Sequence, residues 1–158
     1  MDTGRPFLVE LPIRVQGYDI DVIGRVSNIV YVRWLEDLRM ELLATYFPFE
    51  ECVRRGVSPV LLRTEVHYHH PVKMFDPVRG RIWVTGMGRT SWEIGAEFVV
   101  GEKVMASGRQ RGCFVSLATG RPAPVPEWLV SQWQAWQTAG IPPQPWSGAP
   151  AHAGETAP

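Results

Sequence analysis

Residues 28 to 46 constrain this chain more than any other segment. Ile29, Val32, Leu35, Leu38, Leu42 and Tyr46 recur at three- and four-residue spacing, which is the period of one helix face. Val30, Tyr31, Trp34 and Leu43 extend the apolar surface beyond that stripe, and Arg33, Glu36, Asp37 and Arg39 leave only a narrow polar exit. A helix of this character is expected to be largely buried rather than laid on a surface. The rest of the chain must therefore supply a wrapper, and it reads as strands. In residues 7 to 16, Phe7, Val9, Leu11, Ile13 and Val15 alternate with Glu10, Arg14 and Gln16, the pattern of a half-buried strand. Pro12 places that strand at a sheet edge or on a bulge.

After a short segment ending at Gly56, strand signals dominate. From Leu61, one face carries Leu62, Thr64, Val66 and Tyr68 and the other Arg63, Glu65, His67 and His69, until Pro71 stops the run. Residues 78 to 87, 91 to 100 and 103 to 117 predict three further strands. The breaks at Gly88-Arg89-Thr90 and Gly101-Glu102 are short enough to favour antiparallel hairpins. One early strand, one enclosed helix and four later strands predict an α+β fold, a curved antiparallel β-sheet wrapped around a long central α-helix. Pro122, Pro124 and Pro126 end the sheet, and residues 127 to 136, with Trp128, Leu129, Trp133 and Trp136, predict an amphipathic helix. Residues 1–138 are thus expected to form a single domain. Residues 139–158, dominated by Pro, Gly and Ala, lack the apolar content to offset ordering entropy and are expected to be a mobile tail.

Composition narrows the function classes. With 158 residues and 45% apolar content, the chain has material for one substantial core. Sixteen basic residues balance sixteen acidic ones, so no bulk attraction to nucleic acid or to an anionic membrane is encoded. Neither class of partner is expected, and the seven Trp residues, unaccompanied by a basic patch, fit core, dimer contact or pocket rather than base stacking. Cys52 and Cys113 match neither a disulfide framework nor a zinc spacing, which suits a reducing, cytoplasmic location. Residues 1–10 show no basic region followed by a long apolar run, and no stretch approaches the about 18 apolar residues of a membrane helix.

The chemistry concentrates between Tyr18 and Arg39. Asp19 and Asp21, one residue apart, and Gly24 immediately precede the apolar helix. A helix N-terminus offers unpaired N–H donors and the positive end of the macrodipole. Such donors can hold a developing oxyanion while a nearby carboxylate attacks a carbonyl or takes a proton from water. On its own, an Asp-x-Asp before a helix more often shapes a turn or caps the helix. His67, His69 and His70 invite a zinc reading, but alternation puts His67 and His69 on one face and His70 on the other, so no metal site is expected.

Taken together, Asp19, Asp21, Gly24, Asn28, Tyr31, Arg33, Trp34, Glu36 and Arg39 resemble, in order and spacing, the signature of the 4-hydroxybenzoyl-CoA thioesterase-like family of the hotdog-fold superfamily. The likeness extends more loosely to about Leu117, through Tyr68, Pro71 and Asp76. It implies a hotdog fold and an acyl-CoA thioesterase that needs no cofactor or metal. By the same resemblance, Asp21 is the catalytic carboxylate, acting as nucleophile or general base, and Asp19 shapes the turn. The Asn28 backbone N–H would polarise the thioester carbonyl, and Arg89, Thr90 and Ser91 would hold the CoA phosphates. A homodimer is implied, with a homotetramer as a further assembly, and Asp21 and Arg89 meeting across the subunit boundary. Gly24-Arg25-Val26-Ser27-Asn28 stands where some relatives read Gly-His-Val-Asn-Asn, so the resemblance carries no step through a histidine there. The alternative is a non-catalytic hotdog module that binds acyl-CoA or acyl-carrier protein. Acyl hydration or dehydration would want a positioned histidine beside the acid, and none is expected to follow Asp21 at useful range. Trp34 and Glu36 suit either an acyl pocket or helix packing.

Overall fold

The computed structural model describes residues 4–148. In chain order the elements are β1 (Val9–Ile13), a 3-10 turn (Gly17–Asp19), α1 (Asn28–Tyr46), α2 (Phe49–Arg54), β2 (Val57–Tyr68), β3 (Val78–Met87), β4 (Ser91–Val100), β5 (Lys103–Ser116), β6 (Pro122–Ala123) and α3 (Glu127–Ala139). All strand pairs are antiparallel, in the order β1-β3-β4-β5-β2, with the short β6 added to β5. The curved sheet carries α1 on one face, which is the hotdog architecture that the sequence predicts.

Small residues let α1 sink into the sheet. A Cβ on Gly80 of β3 would lie 2.8 Å from Ile13 Cδ1 and 3.0 Å from Leu38 Cδ1, and one on Gly108 of β5 would lie 3.1 Å from Leu35 Cδ2. Leu35 and Leu38 occupy that space and are fully buried. Close packing of this kind, rather than helix propensity, supplies most of the stability of a buried helix. Toward its N-terminus, α1 packs Tyr31 and Trp34 against Phe98 of β4 with ring centroids 5.6 and 5.5 Å away.

The buried face of α1 differs from the expected stripe. It runs through Val30, Tyr31, Trp34, Leu35, Leu38, Leu42 and Tyr46, while Ile29 and Val32 are 62% and 42% exposed. The helix is therefore half-covered, not largely enclosed. One sheet can cover only one side of a helix, and the aromatic pair removes more apolar area from water than Ile29 and Val32 would.

Element ends moved for local reasons. β1 is shorter than the expected run because the chain turns at Phe7, whose φ of 56° breaks the extended backbone while its ring packs edge-on against Tyr46 at 5.0 Å. β2 begins before Leu61 and carries an irregularity between Leu61 and Arg63, and Leu62, expected on one face with Thr64, Val66 and Tyr68, is turned out to solvent. The packed body also continues past α3. The Trp146 N–H donates to Thr45 O at 2.8 Å, and its ring lies edge-on to Phe47 and Trp128 at 5.3 and 5.1 Å. That part of the expected tail is folded against the body, and residues 149–158 lie outside the described residues.

Candidate active site

The two carboxylates of the 3-10 turn and its following loop have distinct environments. Asp19 is buried: its Oδ2 accepts the Gln16 N–H at 2.8 Å and its carbonyl accepts the Ser27 N–H at 2.8 Å. It ties the entry of the loop to its exit. Asp21 sits at the loop's outer end, where Oδ1 accepts the N–H groups of Ile23 at 2.9 Å and Arg25 at 3.2 Å. The Asp21 N–H donates to Arg25 O at 2.7 Å and the Gly24 N–H to Asp21 O at 3.1 Å, closing a tight loop. Gly24 has a φ of +79°, a left-handed conformation that glycine adopts without a Cβ penalty. Oδ2 of Asp21 enters no hydrogen bond among the described residues.

This loop delivers the chain directly into α1. Ser27 is its N-cap but makes no side-chain cap, and the first closing bond is Val30 N–H to Ser27 O at 3.0 Å. The N–H groups of Asn28 and Ile29 meet no acceptor among the described residues, as expected for the open end of a helix. The Tyr68 hydroxyl, at the end of β2, donates to Asn28 O at 3.0 Å and fixes the first turn from the far side. Its ring meets Tyr31 edge-on at 5.2 Å. Burial pushes the Tyr31 phenol above its ordinary value, partly offset by a hydrogen bond with the Val72 backbone, so this ring stays neutral.

Asp21, Asn28, Tyr31, Tyr68 and His70 line one open cleft of about 500 Å³. Of the expected residues, Asp21 and Asn28 are thus brought together. His69 and His70 are the additions. They lie just beyond β2, and only the packing of that strand's end against the start of α1 carries them to Asp21's cleft, although no histidine follows Asp21 closely in sequence. His67 and His69 stack with centroids 6.5 Å apart, and His69 Nε2 hydrogen-bonds Ser107 Oγ at 2.8 Å.

Arg89, Thr90 and Ser91 lie elsewhere. Gly88 N–H donates to Ser91 O at 2.8 Å, closing the β3–β4 turn. That turn is clamped by Val125 N–H to Arg89 O at 2.9 Å and Phe114 N–H to Thr90 O at 2.8 Å. Arg89 borders a separate groove against α3, and no residue lines both that groove and the Asp21 cleft. Trp34 belongs to the aromatic cluster, and the exposed Glu36 pairs with Arg39, whose guanidinium donates to the buried Gln110 Oε1 at 2.9 Å; neither lines the Asp21 cleft.

Comparison with known proteins agrees with this fold. The family model of the thioesterase-like superfamily matches residues 15–133. The long-chain acyl-CoA thioesterase FadM of Escherichia coli (strain K12) is 26% identical over 68 residues, which make up 43% of this chain and 52% of that protein. The match thus spans about half the length of that curated relative. Among solved structures, a DHNA-CoA thioesterase from Staphylococcus aureus shares the fold with a TM-score of 0.70 at 18% identity, covering 85% of this chain and 94% of that one. A protein from Aquifex aeolicus does so with a TM-score of 0.69 at 23% identity, covering 80% and 98%.

Proposed function

The chain belongs to the thioesterase-like superfamily, and we propose that it hydrolyses an acyl-CoA thioester to the free acid and CoA. The observation that carries this reading is the pairing of a half-free carboxylate with an uncapped helix start in one cleft. The thioester carbonyl oxygen lies against the N–H groups of Asn28 and Ile29. As nucleophile, Asp21 adds to the carbonyl carbon, CoA leaves as thiolate, and water then cleaves the mixed anhydride. As general base, it takes a proton from the water that attacks, and the collapsing tetrahedral intermediate expels the thiolate, which takes that proton. Either route passes through an oxyanion, and each well-placed helix-end donor contributes roughly 3 to 4 kcal/mol to holding it.

Arg89, Thr90 and Ser91 hold the CoA phosphates. Because the Asp21 cleft and the Arg89 groove are separate within one chain, the working unit is a cytoplasmic homodimer in which one protomer's Asp21 faces its partner's turn. The long edge strand β2 supports that arrangement, since an unpaired edge is a template for a second copy. Among the described residues no helix is long and apolar enough to cross a membrane.

The test is turnover of an acyl-CoA panel by the wild type and Asp21→Asn. Loss of about a hundredfold or more in kcat is expected, the scale of a general acid–base group. Undiminished turnover refutes the role of Asp21. A second reading, a non-catalytic module for acyl-CoA or acyl-carrier protein, is favoured by the two turn hydrogen bonds to Asp21 Oδ1, which an ordinary loop aspartate would also make. Saturable binding without product on any member of the panel selects it.

A further inference from the structure

Of the two imidazoles on the Asp21 cleft, the fold uses one and leaves the other free. The N–H groups of His69 and His70 both donate to Met105 O, each at 2.9 Å, and the chain bends there as β2 ends. His69 is tied to β5 through Ser107 Oγ and stacks on His67. His70 is exposed, and its ring enters no hydrogen bond, ion pair or ring contact among the described residues. Its backbone is nevertheless fixed on both sides. Met105 O holds it from β5, and beyond Pro71 the buried Val72 accepts the Val26 N–H at 2.9 Å, inside the Asp21 loop. The adjacent Arg25 N–H donates in turn to Asp21 Oδ1 at 3.2 Å. The titratable and charged side chains on this cleft are Asp21 and Arg25 from the loop, Tyr31 from α1, and Tyr68, His69 and His70 at the end of β2. Burial keeps Tyr31 neutral, Tyr68 is spent on Asn28 O, His69 on Ser107, and a guanidinium accepts no proton. Asp21 Oδ2 and the His70 ring are the acceptors left over.

We propose that His70 is the general base of the second half of the reaction, taking a proton from the water that cleaves the anhydride between the acyl group and Asp21. The inference rests on the proposed thioester hydrolysis and deepens it by giving Asp21 the nucleophile's part. Imidazoles ionise close to neutral pH, and base catalysis is most effective when the base matches the working pH, which a carboxylate does less well. Asp21 Oδ2 bonds to the acyl carbon, and the C–S bond breaks to release the thiolate. Water then adds to the acyl carbon while its proton passes to a ring nitrogen of His70. The C–O bond to Asp21 breaks, which returns the carboxylate and frees the acid. The proton on His70 neutralises the thiolate, so one thioester and one water become one acid and one thiol.

The test follows CoA release and acid release separately after rapid mixing, on an acyl-CoA that the wild type turns over. His70→Gln is expected to release about one CoA per site in a burst and then free the acid about a hundredfold more slowly than the wild type, the scale of a lost general base. Its burst rate stays within about threefold of the wild type, because forming the anhydride does not use the base. Acid release by the wild type falls as pH drops from about 7 to about 5, where imidazoles become protonated, and His67→Gln, whose ring lies outside the cleft, behaves alike. In His70→Gln that dependence is gone. The exposed ring has no partner to lose, so Tm stays within about 2 °C and a folding defect does not account for the change. Acid release by His70→Gln at the wild-type rate, or an equal loss of CoA and acid release, overturns the inference. If Asp21→Asn is inactive in the same assay, the hydrolase reading stands without it. No turnover by the wild type on the whole panel overturns both.

Discussion

Gly112→Ala is the substitution the packing condemns most clearly. A Cβ at this position of β5 would lie 2.0 Å from the Val60 carbonyl oxygen and 2.2 Å from Trp92 Cζ2. Carbon and oxygen need about 3.4 Å or more, so the Val60 oxygen would have to retreat by over about 1 Å. It cannot do so alone. Val60 is paired with Cys113 and Leu61 with Gly112, and the Trp92 indole donates to Cys113 O at 3.3 Å, so strand and ring are both anchored at the point of collision. Overpacking of a core costs about 1–3 kcal/mol, and a clash with paired backbone belongs at about 3. At about 2–4 °C per kcal/mol for a chain of this size, Tm falls by about 6–12 °C. Thermal unfolding followed by circular dichroism reads this directly, and urea unfolding should show a lower midpoint with an unchanged slope. A Tm within about 1 °C of the wild type would refute the close approach of the Val60 carbonyl and the Trp92 ring to Gly112.

Tyr68→Phe removes the hydroxyl that holds Asn28 O, and should lower stability by about 1 kcal/mol in denaturant unfolding and reduce kcat more than it changes KM. Glu51, hydrogen-bonded to Arg54 and Arg55, is lowered to about 2 from an ordinary 4.5. A carboxylate lowered on folding adds stability above its unfolded value and loses it as pH falls from about 4.5 to about 2, so Glu51→Gln should flatten the acid limb of a stability–pH curve over that window. Cys52 is fully buried and its thiol is pushed up to about 11 by burial, so it should resist a thiol reagent at pH 8 until urea unfolds the chain. Since the unfolded thiol ionises first, the same group should cost stability as pH rises from about 9 toward about 11.

Periodicity located α1 from Asn28 to Tyr46 and the turns at Gly88 and Gly101 bounded β3, β4 and β5, because those signals are local. Which side of α1 turns inward was not legible. Apolar residues surround the helix, and the choice of Tyr31 and Trp34 over Ile29 and Val32 depends on Phe98, 67 residues from Tyr31 in sequence and 5.6 Å from it in space. α2, between Pro48 and Gly56, escaped because six residues give too short a window for periodicity. Trp146 escaped for a different reason: Pro and Gly around it read as disorder, yet one indole wedged between Phe47 and Trp128 is enough to pin the segment. At the site, the loop Asp19 to Asn28 was visible as a contiguous motif. His69 and His70 were not, since their place on the Asp21 cleft is a product of how β2 ends.

The hydrogen bonds to Asp21 sharpen what a substitution there can mean. A loop role and a catalytic role are compatible because they use different oxygens: Oδ1 takes the Ile23 and Arg25 N–H groups, and Oδ2 takes none among the described residues. An asparagine can keep the first function, its carbonyl oxygen replacing Oδ1, while its amide nitrogen can neither attack a thioester nor accept a proton from water. Asp21→Asn should therefore leave Tm close to that of the wild type and remove turnover, whereas Asp21→Ala also leaves the Ile23 and Arg25 N–H donors without their acceptor and lowers Tm. Asp19 should behave in the opposite way: it is buried and bonded to Gln16, so Asp19→Asn should reach activity only through loss of the loop. Equal Tm losses in Asp21→Asn and Asp21→Ala would mean that the charge itself, and not the acceptor geometry, holds this loop ahead of α1.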